Sequence, residues 1–294
     1  MKIEDLETHQ KNTWCPGCTN NGLLLAVKKA IVHLDQTSQL HWKNVVAVSG
    51  IGCGAKIYDY LRVNGFYTLH GRVLPTCLGI KTGNPNLTVL GFAGDGGSYA
   101  EGVAHLVHAA RYNADLTMIV SNNQVFALTT GQATPTTEEG FIDHSLPLGV
   151  KEPPLNPLAL VLASGGTFVA RGSALDPEHL QKLIEEAIQH PGFSFIDVLQ
   201  PCLSFHQDIE FQRQHIYKLE LKKKDDFSQA WEKAQEWDYN QKEKAKIPIG
   251  IFYQDRQLTW EEKWPQLNLP WYQKERPIEW TKVVEDWKWR KTKK

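Results

Sequence analysis

An open, doubly wound α/β domain with a mostly parallel sheet is the fold class that the sequence predicts, and three observations predict it. Short β-rich runs alternate with helical patterns from Trp14 to about Pro201, which is how a parallel sheet covered by helices on both faces reads in sequence. The chain has 294 residues, 41% hydrophobic and 22% charged, enough to bury one large core or two smaller ones. The less common residues, among them Gly94-Asp95-Gly96 and most cysteines, fall in the loops between these runs. Such sheets bind ligands there, beyond the carboxyl ends of their strands.

Each element has its own signal. Strands are expected over 44–49, 87–93, 116–121, 167–170 and 193–199. Residues 23–34 and 104–112 carry apolar positions at helical spacing, and Leu23, Leu24, Ala26, Val27 and Ile31 form the core face of the first. Asp176-Pro177-Glu178 supplies an N-cap, a proline at the first helical position and an early acid, opening a helix that runs to about His190. Residues 132–160 are rich in Pro and Thr and read as a long functional loop, because structureless stretches of that length are uncommon in compact domains. Beyond Cys202 a charged helix is expected over 209–246, then an apolar stretch over 247–253, then irregular chain rich in Trp and Pro.

The composition changes near residue 213. Residues 1–212 carry 13 Lys and Arg against 19 Asp and Glu, whereas 213–294 carry 19 against 14, so a formal charge of −1 hides parts of opposite sign. Eight of the ten tryptophans (Trp231, Trp237, Trp260, Trp264, Trp271, Trp280, Trp287 and Trp289) lie in the last 64 residues. Two units follow: a ligand-binding α/β domain over 1–212 and a basic, Trp-rich extension over 213–294. A basic aromatic tail invites nucleic acid. Its charges are mixed, however, and no glycine-aromatic RNA-binding signature accompanies them, so packing on a partner or on its own core is expected instead. No apolar run approaches the ~20 residues of a membrane-spanning helix, and no signal peptide is read at the start, so a soluble, cytoplasmic protein is expected. Five cysteines, an odd number thinly spread, fit a reducing compartment in which thiols bind metal, react or fill space.

Two constellations carry chemistry. Gly94-Asp95-Gly96 follows an expected strand, and 25 residues later Asn122-Asn123 ends the next. Adjacent parallel strands would bring Asp95 and Asn123 together. A carboxylate, an amide oxygen and a backbone carbonyl make a hard oxygen site suited to Mg²⁺, with positions left for diphosphate and water. Gly94, Gly96 and Gly97 let the backbone approach a phosphate, and the following helix points its N-terminus at it. The second constellation is Cys15-x-x-Cys18 with isolated Cys53 and Cys202, four thiolates that suit either zinc or an iron–sulfur cluster. Cys77, in an apolar stretch, reads as packing, as do His105 and His108 on an apolar helix face.

The Gly-Asp-Gly, 25 residues, Asn-Asn arrangement resembles the fingerprint of thiamine diphosphate enzymes. Further motifs occur in the order seen in the β subunit of 2-oxoacid:ferredoxin oxidoreductases: Trp14-Cys15-Pro16-Gly17-Cys18, Gly50-Ile51-Gly52-Cys53, His70-Gly71-Arg72, Gly79-Ile80-Lys81 with Asn84-Pro85, His105-Leu106-Val107-His108-Ala109-Ala110-Arg111, Gly131-Gln132 with Pro135-Thr136-Thr137, Pro201-Cys202, and Ile247-Pro248-Ile249-Gly250. The likeness covers roughly residues 10–253. It implies the diphosphate-domain type of thiamine diphosphate fold, and a [4Fe-4S] cluster on Cys15, Cys18, Cys53 and Cys202. It also implies Mg²⁺ on Asp95, Asn123 and the Val125 carbonyl, and cofactor contacts from Ile51, Gly52, Cys53, Gly54, His70, Asp95, Gly96, Gly97, Asn123, Ala127 and Leu128. His70 would lie beside the cofactor, in reach of a phosphate or the reacting carboxylate. The loop Ile51-Gly52-Cys53 would both ligate the cluster and touch the cofactor.

The implied reaction is oxidative decarboxylation of a 2-oxoacid of the pyruvate or 2-oxoglutarate class, giving acyl-CoA and CO₂, with single electrons passing to the cluster and on to ferredoxin or a similar carrier. In this superfamily an activating glutamate sits on a separate pyrimidine-binding domain, for which residues 213–294 are too short and of the wrong composition. An α subunit is therefore expected to supply the glutamate and the CoA site, and the extension to wrap that partner or to shield the cluster. Departures are Phe126-Ala127 in place of the usual Tyr-Gly, Thr130 where many two-subunit members carry lysine, Gly97 in place of a frequent acid and Gly54 in place of a frequent serine. The rival readings are a non-redox thiamine diphosphate decarboxylase half-subunit with structural zinc, and a zinc-stabilised interaction subunit.

Overall fold

The computed structural model describes residues 1–273 and 279–287. In chain order, α1 (Asn20–Gln36) leads to β1 (Val45–Ser49), the one-turn helix α2 (Ile57–Tyr60), β2 (Asn64–Tyr67), α3 (Val73–Gly83), β3 (Thr88–Gly94), α4 (Val103–Tyr112) and β4 (Leu116–Asn122). A short hairpin follows, β5 (Val125–Phe126) with β6 (Gln132–Ala133), then α5 (Pro157–Ala163), β7 (Phe168–Ser173), α6 (Pro177–Gln189) and β8 (Phe193–Leu199). The chain continues through α7 (Ile209–His215), β9 (Ile216–Lys218), α8 (Phe227–Ala234) and β10 (Ile247–Gln254). Eight strands form one sheet in the order β2-β1-β3-β4-β8-β7-β10-β9, in which every neighbouring pair is parallel except β7 with β10. The mostly parallel α/β class expected from the sequence is the one observed.

Apolar side chains cover both faces of the sheet. One core joins Leu23, Ala30 and Ile31 of α1 to Leu180, Leu183 and Ile184 of α6. The other joins Leu74 and Cys77 of α3, Leu106 and Ala109 of α4, Val161 and Leu162 of α5, and Ala230 and Ala234 of α8. β4 and β8 are buried along their whole length, as central strands covered on both sides must be. At the start of α6 the Asp176 carboxylate accepts the His179 N–H at 3.1 Å, a cap worth about 1 kcal/mol.

The structure corrects the sequence reading in four places. The charged segment 209–246 is not one helix: α7 stops at His215 and β9 and α8 follow, because charges at helical spacing without a continuous apolar stripe give a long helix nothing to bury. α3 and α5 are additional helices, and α3 hid because it is nearly apolar all round. β2 is an exposed edge strand, too polar and short to show an alternating pattern. The sheet also continues past residue 212, since β10 pairs with β7 and β9 with β10.

The beginning of the Trp-rich segment docks at the amino ends of the strands. Asn113, in the left-handed conformation that ends α4, accepts Thr167 Oγ1 at 2.6 Å and the Phe193 N–H at 2.9 Å through its Oδ1. Its Nδ2 donates to the Leu258 carbonyl, its own carbonyl accepts the Trp260 N–H, and Trp260 stacks on Tyr112. That end of the sheet is opposite to the loops carrying Cys53 and Cys202. Residues 255–263 therefore cannot be the cover over a cluster that the sequence suggested for the extension. Trp264, Tyr272 and Trp280 are exposed; Trp289 lies outside the described residues.

His190 shares this polar knot, with its ring nitrogen 2.9 Å from Thr167 Oγ1. Burial pushes its pKa down to about 4, against a smaller opposing pull from Asp115. A folded-state value below the unfolded ~6.5 means the native state rejects the proton, so stability is full above pH ~6.5 and falls as pH drops toward 4. We expect the urea midpoint of the wild type to fall over that window more steeply than that of His190→Gln, and parallel curves would refute this.

Candidate functional site

Four neighbouring strands, β1, β3, β4 and β8, end side by side, and each feeds one loop into the same region. Ser49 aligns with Phe92, Gly94 with Ser121, and Asn122 with Leu199, so residues 50–54, 95–97, 123–125 and 200–202 emerge together. A cavity of about 60 Å³ is lined by Ile51, Gly52, Cys53, Gly54, His70, Asp95, Gly96, Gly97, Asn123, Val125, Ala127 and Leu128, among others. Every residue that the sequence assigned to the thiamine cofactor or to Mg²⁺ lies on this one lining. Gly52 has φ +125°, a conformation that side chains rarely adopt. A Cβ on Gly96 would meet the Phe126 ring at 2.1 Å, whereas one on Gly97 would meet nothing within 4 Å. The chain then turns through a wide π-helical stretch, Gly96–Glu101, before α4, a form of turn that recurs at functional sites.

Asp95 is buried, and burial pushes its pKa up to about 6, partly offset by hydrogen bonds from Thr134 and Thr136. Its Oδ2 accepts Thr134 Oγ1 at 2.6 Å and Thr136 Oγ1 at 3.1 Å. Among the described residues no Lys, Arg or His pairs with it. A buried carboxylate without a counter-charge, beside an amide oxygen and a carbonyl, is chemically suited to a divalent cation. Asn123 is held at both ends: its Nδ2 donates to Gln200 Oε1 at 3.1 Å and its Oδ1 accepts the Val125 N–H.

A second cavity, of about 220 Å³, is lined by Cys15, Cys18, Cys53 and Cys202 together with Trp14, Lys56, Thr130, Gln200 and Phe205. The two cavities share Cys53, Asn123, Ala127 and Leu128. Burial raises the Cys18 thiol, and raises Cys53 to about 11 against the pull of Lys56; in both, the neighbouring cysteines add to the rise. Metal binding here would displace protons. Trp14 pins two of the cysteine loops together, since its indole N–H donates to the Cys53 carbonyl at 2.7 Å and its ring meets Tyr60 edge-on. Gln200 links the two cavities: it accepts from Asn123 and donates to Thr19 Oγ1 at 2.6 Å, and that hydroxyl bonds the Pro201 carbonyl beside Cys202.

Cys77 lies apart, fully buried in α3. His105 bonds Arg72 rather than joining His108 at a metal; among the described residues no three His, Cys, Asp or Glu could hold a single ion. The departures acquire reasons. A Cβ on Gly54 would sit 2.6 Å from Ser121 Oγ, so glycine at 54 goes with serine at 121. Thr130 lines the cysteine cavity, as does Lys56. Sequence reasoning missed Gln200, Thr19 and Thr134, which act through contacts across 39 to 182 positions; Pro135-Thr136-Thr137 was visible as a motif but without a role.

A family model described as "Thiamine pyrophosphate enzyme, C-terminal TPP binding domain" matches residues 45–198, and a model of the C-terminal part of the pyruvate ferredoxin oxidoreductase beta chain matches 202–268. A 2-oxoacid:ferredoxin oxidoreductase β subunit from Saccharolobus solfataricus is 44% identical over 84% of this chain and 83% of its own length. One from a Sulfolobus species is 43% identical over 90% and 89%. A solved 2-oxoglutarate:ferredoxin oxidoreductase from Magnetococcus marinus, with 2-oxoglutarate, coenzyme A and succinyl-CoA bound, superposes with a TM-score of 0.87 at 28% identity, over 98% of this chain and 96% of that one. With a thiamine pyrophosphate-binding domain built on four adjacent strand ends, the chain belongs to the β-subunit family of the 2-oxoacid:ferredoxin oxidoreductases.

Proposed function

We propose that this chain is the β subunit of a CoA-dependent 2-oxoacid:ferredoxin oxidoreductase, holding the diphosphate half of thiamine diphosphate and one [4Fe-4S] cluster. The substrate is a 2-oxoacid of the pyruvate or 2-oxoglutarate class, and the electrons leave to ferredoxin or a similar carrier. The observation that carries this reading is the wall shared by the two cavities, with Cys53 on both. A redox group next to the reacting cofactor needs no intermediate carrier.

Asp95, Asn123 and the Val125 carbonyl hold Mg²⁺, while the open space at Gly97 gives the diphosphate room at the start of the π-helical turn and Gly96 makes way for the Phe126 ring. When bound, thiamine diphosphate supplies the carbanion chemistry by which a 2-oxoacid loses CO₂. His70 lines the same cavity and bonds a phosphate or the substrate carboxylate. The four thiols share the lining of a cavity of about 220 Å³, and among the described residues no three of them converge on a single-ion site. That arrangement suits a multi-iron cluster better than zinc, whose sulfurs all lie about 2.3 Å from one centre.

A cavity of about 60 Å³ falls far short of the roughly 300 Å³ or more of a complete cofactor pocket. Its closure falls to an α subunit, which brings the activating glutamate and the CoA site. The exposed Trp264, Tyr272 and Trp280 of the extension pack on that partner, since aromatic residues are enriched at interfaces. The test is anaerobic purification of the full chain alone and with its partner. The complex is expected to be brown, with about four irons per chain, and to reduce an electron acceptor only when given a 2-oxoacid; the full chain alone is expected to be inert. Oxidation of a 2-oxoacid by the chain alone, or a colourless complex holding zinc, would overturn the proposal.

A further inference from the structure

We infer that Thr134 and Thr136, with Thr137 behind them, are positioning residues that set the affinity of the Asp95 site for its divalent cation. The inference rests on the reading of Asp95, Asn123 and Val125 as cation ligands and gives a role to the Pro135-Thr136-Thr137 motif.

The three hydroxyls meet three points of the site. Thr134 Oγ1 lies 2.6 Å from Asp95 Oδ2, Thr136 Oγ1 lies 2.9 Å from Asn122 Oδ1, and Thr137 Oγ1 donates to the Gln124 carbonyl. Each hydroxyl has one proton to give: that of Thr134 goes to Asp95 Oδ2, that of Thr137 to the Gln124 carbonyl, and that of Thr136 is shared between Asn122 Oδ1 and Asp95 Oδ2. Thr136 Oγ1 is also 3.1 Å from Asp95 Oδ2; both hydroxyls that reach the carboxylate thus converge on the same oxygen. Oδ1 is the oxygen that neither engages. A carboxylate pinned through one oxygen presents the other to a metal in a fixed orientation.

The loop that bears the other ligands is held by the same segment. Gln124 sits at φ +59°, a conformation uncommon for a residue with a side chain. Its Nε2 donates to the carbonyls of Thr136 and Tyr239, Thr137 holds its carbonyl, and Val125 pairs with Ala133 across the hairpin. Thr134, Thr136 and Thr137 are all buried. They approach from behind the ligands: none of the three lines the cation cavity.

Outer partners of metal ligands typically change affinity by about 10–100-fold. The probe is Mn²⁺, titrated by the loss of its free-ion electron paramagnetic resonance signal into the full chain in complex with its partner, with thiamine diphosphate saturating. Thr134→Val and Thr136→Val are expected to weaken Mn²⁺ by roughly 10-fold, with thermal midpoints near wild type. Thr134→Ser and Thr136→Ser, which keep the hydroxyl, should restore affinity to within about 2-fold. Where a valine variant fails to fold, Thr134→Ala removes the same proton without adding bulk and takes its place. No saturable Mn²⁺ binding by the wild type would overturn the cation site itself, and this inference with it. Tight binding by the wild type with unchanged binding by the valine or alanine variants would overturn the inference alone. Equal weakening by valine and serine would also overturn it, reducing the threonines to packing.

Discussion

Cys202→Ser is expected to leave the complex almost free of iron while it still binds thiamine diphosphate. Cys202 lines the larger of the two cavities and not the smaller one, so under the proposed assignment its loss would remove a soft ligand from the cluster and leave the Asp95 lining intact. Serine is a hard oxygen donor and a poor replacement for thiolate on iron. Iron should drop from about four per chain to near zero, the visible colour should vanish, and 2-oxoacid-dependent dye reduction should fall at least ~1000-fold, more than the roughly 10–100-fold typical of outer-shell losses. Cys53→Ser should remove the cluster and weaken thiamine diphosphate as well, because Cys53 belongs to both linings. Cys77→Ser is the control: it is buried in α3, away from both cavities, and should keep its iron. Retention of a full iron complement by Cys202→Ser, measured by metal analysis and visible absorbance, would refute the assignment of that thiol.

The largest loss of stability is expected on removing Asp197, which lies fully buried in β8 opposite an equally buried Arg171 of β7. Their charged atoms are 3.5 Å apart. The carboxylate also accepts Tyr99 Oη at 2.8 Å, Tyr239 Oη at 2.7 Å and Asn122 Nδ2 at 3.0 Å. Arg171 donates to Tyr239 Oη and lies near the rings of Trp237, Tyr239 and Phe252. Asp197→Ala leaves a buried guanidinium without its counter-charge and strands three donors. Breaking one side of such a pair costs about 3–5 kcal/mol, a large part of the 5–15 kcal/mol that holds a typical domain together. Tyr99→Phe, which removes one hydrogen bond to a charged group, should cost about 1.5–3 kcal/mol. Urea unfolding of the full chain without metal measures both; a loss under ~1 kcal/mol for Asp197→Ala would show that the network does not stabilise the fold as argued.

Much of this architecture could be read from the sequence because its information is local. The five expected strands announced themselves as β-rich runs, and Asp176-Pro177-Glu178 announced α6. The spacing from Asp95 to Asn123 was legible because strand, helix and strand in a parallel sheet return the chain to the neighbouring strand end. β2 and α3 were not, one being a polar edge and the other lacking a polar face. The Asp197 network was illegible for a different reason: Tyr99, Arg171, Asp197 and Tyr239 each look ordinary alone, and only the insertion of β8 between β4 and β7, with Tyr239 packed behind, makes them one cluster. The hydroxyls of Thr134 and Thr136 likewise gain meaning only once the hairpin brings them to Asp95.

The order of the central strands sets a timetable for biogenesis. Cys15, Cys18 and Cys53 leave the ribosome early, but the fourth thiol follows β8, which must slot in beside β4 before its loop can reach the others. Pairings over such sequence separations form late and slowly. If the four thiols hold the proposed cluster, a nascent chain that ends before residue 199 would offer it three of them and half a cradle, so the site is complete only once β8 has docked and Cys202 has followed it.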